Sequence, residues 1–171
     1  MGKIIIMDVD GVVCDFVGGL MDYNPSRKLA GVDSITEYRI EFSKAEIAAC
    51  ADYKFWRNLP TYPDADPKAF EGAGHTLVWC TKPWDSCIGW AHARTSWLRK
   101  NFQAEEIICT AAKHRVKGDV LIEDSYENLV RWKEHFPEGR ALLYMRPWNK
   151  SIDYTDRFTW DRLPQLLEEI V

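Results

Sequence analysis

With 171 residues, 46% of them hydrophobic and 13% aromatic, the chain can bury one core, and its length suits a single domain with room for a small insertion. Its formal charge of −4 gives no electrostatic basis for binding a polymeric nucleic acid or an acidic membrane, so an anionic ligand would have to be small and held by local cations or a metal. The five cysteines (Cys14, Cys50, Cys80, Cys87 and Cys109) are odd in number, irregularly spaced and without a Cys-x-x-Cys pair, and they read as free thiols in a reducing compartment.

The first predicted element is a strand over Lys3–Met7. Its apolar run is too short for a signal peptide or a membrane span and meets Asp8 at once, so the expected location is cytoplasmic. More than sixty residues (9–75) then separate it from the next strand, far more than a crossover needs. Within them the polar stretch 20–54 has helical character, clearest over Lys44–Ala51 with Ser43 as cap. Asn24–Pro25 and Pro60–Pro63 mark turns at its two ends.

Four further apolar runs follow: Thr76–Cys80, Glu106–Cys109, Val120–Ile122 and Ala141–Tyr144. They are continuous rather than alternating, as strands of a parallel sheet covered on both faces are. Helices are predicted over Trp84–Phe102, with Ile88, Ala91, Thr95 and Leu98 on one face, over Ser125–Phe136, and over Asp161–Val171. The fold class is α/β: a Rossmann-like core with a parallel sheet of about five strands, helices on both faces, and a small helical cap inserted after strand one. The division is 1–16 and 59–171 for the core and 17–58 for the cap.

Asp8–Val9–Asp10–Gly11–Val12 directly follows the first strand. A carboxylate at the end of a buried strand is costly unless paired, and two carboxylates two residues apart ask for a cation between them. Gly11 permits a sharp turn beside them. The other strands end in chemistry too: Thr81 after strand two, Lys113 in the loop after strand three, Glu123–Asp124 after strand four. Open parallel sheets bind ligands outside the carboxyl ends of their strands. A nucleophile, a hydroxyl, a cation and further carboxylates at that edge are what phosphoryl transfer requires. The bland alternatives are a strand-end turn for Asp8–Gly11, a surface lysine for Lys113 and a helix cap for Thr81. A zinc site from Cys80, Cys87 and His92 fits no standard spacing.

This order of motifs resembles the haloacid dehalogenase superfamily of phosphatases, over nearly the whole chain. Asp8-x-Asp10-Gly11-Val12, Thr81, Lys113 and Glu123–Asp124 match its four motifs, and the insertion lies where that superfamily places its C1 cap. A closer likeness is to the 5′(3′)-deoxyribonucleotidases, through DVDGVVCDF, FWRNLPTYPDA (55–65) and LLYMRPWNK (142–150). Two departures are Glu123 where that family often has a second aspartate, and Lys82 where a small hydroxyl residue is common.

The resemblance implies a magnesium-dependent phosphatase that forms an aspartyl-phosphate, with Asp8 as nucleophile and Asp10 as acid and base. Asp8, Asp124 and the Asp10 main-chain carbonyl would hold Mg²⁺, with Glu123 orienting Lys113 or a bound water. Gly11, Thr81, Lys82 and Lys113 would hold the phosphate. Phe16, Phe55 and Trp56, near the core–cap junction, are expected to stack on a nucleotide base, the bland alternative being that Phe55 and Trp56 pack the cap against the core. The expected partner is a small phosphomonoester, a nucleoside monophosphate by resemblance, acted on by a monomer or homodimer. The alternatives are a phosphatase for another small phosphomonoester, a response-regulator receiver and an inactive binding module. The receiver fits poorly, because its acceptor aspartate follows a later strand and it has no cap.

Overall fold

The computed structural model describes residues 2–23, 47–48 and 52–170. Six parallel strands form one sheet in the order β3-β2-β1-β4-β5-β6: β1 Ile4–Asp8, β2 Thr76–Thr81, β3 Glu106–Cys109, β4 Val120–Glu123, β5 Arg140–Tyr144 and β6 Arg157–Phe158. Five match the expected strands to within a residue at most ends. The sixth is two residues long, below what any hydrophobic pattern can signal.

β1 has the β-branched run Ile4–Ile6, and its side chains alternate between two cores. Ile5 and Met7 join Leu77, Trp79, Trp97, Leu98 and Phe102 on one face. Ile6 joins Leu121, Leu129, Trp132, Ala141 and Leu143 on the other. Both faces of the sheet are thus covered, which is why its strands read as unbroken apolar runs.

The described helices are α1 Phe16–Tyr23, α2 Tyr53–Arg57, α3 Lys68–Gly72, α4 Trp90–Phe102, α5 Tyr126–His135 and α6 Leu163–Glu169. α4 starts later than its sequence pattern suggests. Gly89, at φ 84°, begins it, while Ile88 is 99% exposed in the preceding turn instead of lying on an apolar face. The stripe that α4 does bury is Trp90, Ala93, Arg94, Trp97 and Leu98. α1 crosses the expected core–cap boundary without a break, with Phe16 and Leu20 in the core. Of the expected cap, residues 24–46 and 49–51 lie outside the described residues, and with them most of the helix over Lys44–Ala51 and the Asn24–Pro25 turn. Residues 47 and 48 are helical, and Ile47 is buried against the core.

Indole N–H groups tie distant segments to this scaffold. Trp97 donates to the Leu59 carbonyl at 2.7 Å, Trp132 to Val116 at 2.9 Å and Trp160 to Val12 at 3.0 Å. Each indole thus packs its ring in a core and spends its polar edge on a loop, which accounts for part of the high tryptophan content. Among the described residues, no helix is long and apolar enough to cross a membrane.

Candidate active site

β1 lies at the middle of the sheet, between β2 and β4, where the strand order reverses. The register puts Asp8 beside Cys80 of β2 and Met7 beside Ile122 of β4. Asp8, Thr81, Glu123 and Asp124 therefore reach the carboxyl edge together, at the switch point where such sheets take ligands. Lys113 joins them from a 3₁₀ turn (Lys113–Arg115) after β3.

The Lys113 ammonium is buried and is no surface lysine. It ion-pairs with Asp8 Oδ1 and donates to Glu123 Oε2 at 2.8 Å. Asp8 Oδ1 also accepts from the Val9 amide at 2.7 Å. Glu123 has both oxygens engaged, since Oε1 accepts from the Ser125 amide at 3.2 Å. Burial opposes the charge on Lys113, but Asp8 and Glu123 outweigh it and hold the ammonium above its ordinary range. Burial pushes the Asp8 carboxyl well up, and the Glu123 charge adds to this while Lys113 works against it. Burial, then the Asp8 charge, pushes Asp124 up to about 7.

Asp8, Glu123 and Asp124 offer ligand atoms within 4.8 Å of one another. One ammonium faces these carboxylates, so the cluster is short of positive charge, and an all-oxygen donor set in that state fits a hard divalent cation such as Mg²⁺. Cys80, Cys87 and His92 form no such group among the described residues.

Gly11 sits at φ 81°, and a Cβ there would lie 2.1 Å from Asp124 Oδ2. Its N–H donates to the Cys14 carbonyl at 3.0 Å, closing the turn, and its missing side chain makes room for Asp124. Asp124 is held from a third direction by the loop after β5, where the Trp148 indole donates to Oδ2 at 3.0 Å and Asn149 donates to the Asp124 carbonyl at 2.8 Å. In the same loop Arg146 donates from Nε to the Gly11 carbonyl and lies over the Tyr62 ring.

Thr81 is fully buried, and its Oγ1 has no hydrogen-bond partner among the described residues. It caps no helix, because α4 begins at Trp90 behind Gly89. A buried hydroxyl without a partner costs free energy unless a ligand completes it. Lys82 is exposed on the loop just beyond, without an ion pair among the described residues.

Phe16, Phe55 and Trp56, expected to stack on a base, are buried. They are 6%, 6% and 3% exposed. Phe16 stacks on Trp56 with centroids 5.4 Å apart, Phe55 meets both edge-on, and Trp84 and Trp90 close the cluster. Aromatics at a junction between chain segments satisfy each other first, because mutual packing removes the most apolar surface from water.

Asp10 has a partner that sequence reasoning missed. The Arg94 guanidinium, from α4, ion-pairs with Asp10 Oδ1. The available signal was an arginine on the apolar stripe of a helix, between Trp90 and Trp97.

A family model described as "5′ nucleotidase, deoxy (Pyrimidine), cytosolic type C protein" matches residues 54–170. No curated protein matches the chain. Among solved structures, a dehalogenase shares the fold at TM-score 0.58 and 10% identity, covering 96% of each chain. A protein from Thermotoga maritima assigned as a β-phosphoglucomutase does so at 0.56 and 12%, covering 100% of both. The family match spans well over half of the sequence: the chain belongs to the 5′-nucleotidase, deoxy (pyrimidine), cytosolic type C family, a phosphatase-type hydrolase on the haloacid dehalogenase fold.

Proposed function

We propose that this hydrolase is a magnesium-dependent phosphomonoesterase working through an aspartyl-phosphate on Asp8, and that its substrate is a deoxynucleoside or nucleoside 5′- or 3′-monophosphate. The observation that carries the reaction is the convergence of Asp8, Lys113, Thr81 and Asp124 at the switch point of the sheet. The nucleotide rests on family membership.

Asp8 Oδ1 is held by Lys113 and the Val9 amide, which leaves Oδ2 to attack phosphorus. As that bond forms, the ester P–O bond breaks and the departing oxygen takes a proton from Asp10. Water then attacks the phosphorus of the aspartyl-phosphate and gives a proton to Asp10. The Asp8 carboxylate leaves, and inorganic phosphate is released. The Thr81 hydroxyl and the Lys113 ammonium are fixed before the reaction starts and stabilise charge on the transferring phosphoryl group. Asp8, Asp124 and the Asp10 main-chain carbonyl would hold Mg²⁺, which when bound supplies the positive charge that this cluster lacks.

Phosphate release across a panel of deoxy- and ribonucleoside monophosphates and non-nucleotide phosphate esters, with Mg²⁺ and with chelator, tests the reading. A preference for deoxynucleotides that disappears in chelator is the expected result. A panel led by a sugar or alkyl phosphate would keep the mechanism and replace the substrate with another small phosphomonoester.

A further inference from the structure

Arg94 is a buried charged side chain against the site to which the mechanism above gives no task. It is completely buried, with aromatic rings on two sides: the guanidinium carbon lies 4.8 Å from the Trp56 ring centroid and 5.4 Å from that of Trp97. Nη2 ion-pairs with Asp10 Oδ1, and Nη1 lies 3.5 Å from Cys14 Sγ. Nε has no hydrogen-bond partner among the described residues.

A buried guanidinium is expensive to desolvate, and the two indoles would pack as well against an apolar side chain of the same length. The cation is therefore unexplained by packing. Burial works against its charge, while the Asp10 carboxylate and the Cys14 thiol favour it. Exposure divides the pair unequally: the Arg94 side chain is 0% exposed and the Asp10 side chain 33%. The cation is the immobile member, fixed by a helix and two rings. The carboxylate is the member that meets the surroundings, with one oxygen tethered.

We propose that Arg94 is a positioning residue for Asp10. It tethers Oδ1 and thereby presents the other carboxylate oxygen, first to the leaving-group oxygen and then to the attacking water. Arg94 exchanges no proton and touches no substrate. Because the guanidinium rests on Trp56, in the helix by which the chain returns from the insertion to the core, the acid–base group is also tied to that segment. The proposal rests on the reading of Asp10 as acid and base.

The test compares Arg94→Gln and Arg94→Lys with wild type, and with Asp8→Asn and Asp10→Asn as references, in the full chain with Mg²⁺. p-Nitrophenyl phosphate has a leaving group that needs little acid assistance, so its first turnover reports attack by Asp8, and later turnovers report hydrolysis of the phosphoenzyme by base-assisted water. Arg94→Gln is expected to release the first p-nitrophenolate at the wild-type rate and to slow later turnovers about tenfold, part of the contribution typical of a positioned acid or base. Across aryl phosphates of rising leaving-group basicity, its rates should fall more steeply than those of wild type. Arg94→Lys, which keeps the charge, should recover most of the loss. Equal slowing of first and later turnovers, or no slowing, overturns the proposal. If Arg94→Gln does not fold, Arg94→Met, which keeps the length of the side chain between the two indoles and removes the charge, carries the test: slower later turnovers with an intact first turnover support the role, and equal rates or equal losses reject it. Asp8→Asn with full turnover would reject the aspartyl-phosphate mechanism itself, a result separate from any behaviour of Arg94.

Discussion

Two ion-paired groups flank the catalytic loop, and they are built on opposite terms. On one side Asp8, Glu123 and Asp124 crowd together with the single ammonium of Lys113. On the other, Asp10 faces Arg94 one to one, inside an aromatic wall. The first cluster is electrostatically incomplete and invites a cation. The second is balanced and needs nothing further. A charge imbalance in a buried site marks where a ligand goes, and a charge balance marks where geometry is being kept.

The largest effect should come from the unbalanced side. Asp8→Asn should lower turnover by roughly 10⁴-fold or more, the scale seen when a nucleophile is removed. The same change takes one negative charge out of an overcrowded cluster, so the melting temperature in chelator should stay level or rise. Residual activity above a tenth of wild type would end the assignment of Asp8.

Next comes the cation. Chelator should abolish activity, and at about a hundred times its dissociation constant Mg²⁺ should stabilise the fold by about 2.7 kcal/mol, roughly 5–10 °C in melting temperature. Asp124→Ala should lose most of that shift. A Mg²⁺-independent melting curve would contradict the site.

Thr81→Val separates function from stability within one residue. Its hydroxyl has no partner among the described residues, so an apolar isostere should leave the melting temperature unchanged or raise it. Turnover should fall by roughly 10²-fold, the cost of losing one donor aimed at a developing charge. A destabilised variant with normal kinetics would make Thr81 a structural residue.

The balanced side should respond most weakly in selectivity. Trp56→Ala should cost about 3–5 kcal/mol of stability, as removal of a buried tryptophan does. It should lower turnover of nucleotides and of p-nitrophenyl phosphate by similar factors, since the ring packs on Phe16 and Arg94. A loss confined to nucleotides would restore base stacking as its role.

The candidate site at the carboxyl edge was legible because most of its residues end an apolar run, and parallel strands end together. Asp8, Thr81 and Glu123–Asp124 needed no more than that rule. Lys113 was legible by its place after β3, although only the structure supplies its two carboxylate partners. Arg94 was not legible from spacing, since it lies 84 residues from Asp10 and the contact depends on how α4 packs on the sheet. Phe16, Phe55 and Trp56 could be placed along the chain but not among their neighbours, because sequence locates a ring without saying which other rings reach it first. Gly11 illustrates the same limit: a turn glycine is easy to read, the carboxylate filling the space above it is not.

The clasp on the catalytic loop also sets an order of events during synthesis. Gly11 is held by Arg146, 135 residues downstream, and Val12 by Trp160, 148 residues downstream. At about 5–20 residues per second, Asp8 waits several seconds to half a minute on the nascent chain before the residues that hold the loop beside it are made. Contacts so distant in sequence form late. The Asp8 carboxylate therefore emerges early, but the loop beside it is fastened only once the segments carrying Arg146 and Trp160 are in place, and a truncated product would carry Asp8 on an unfastened loop.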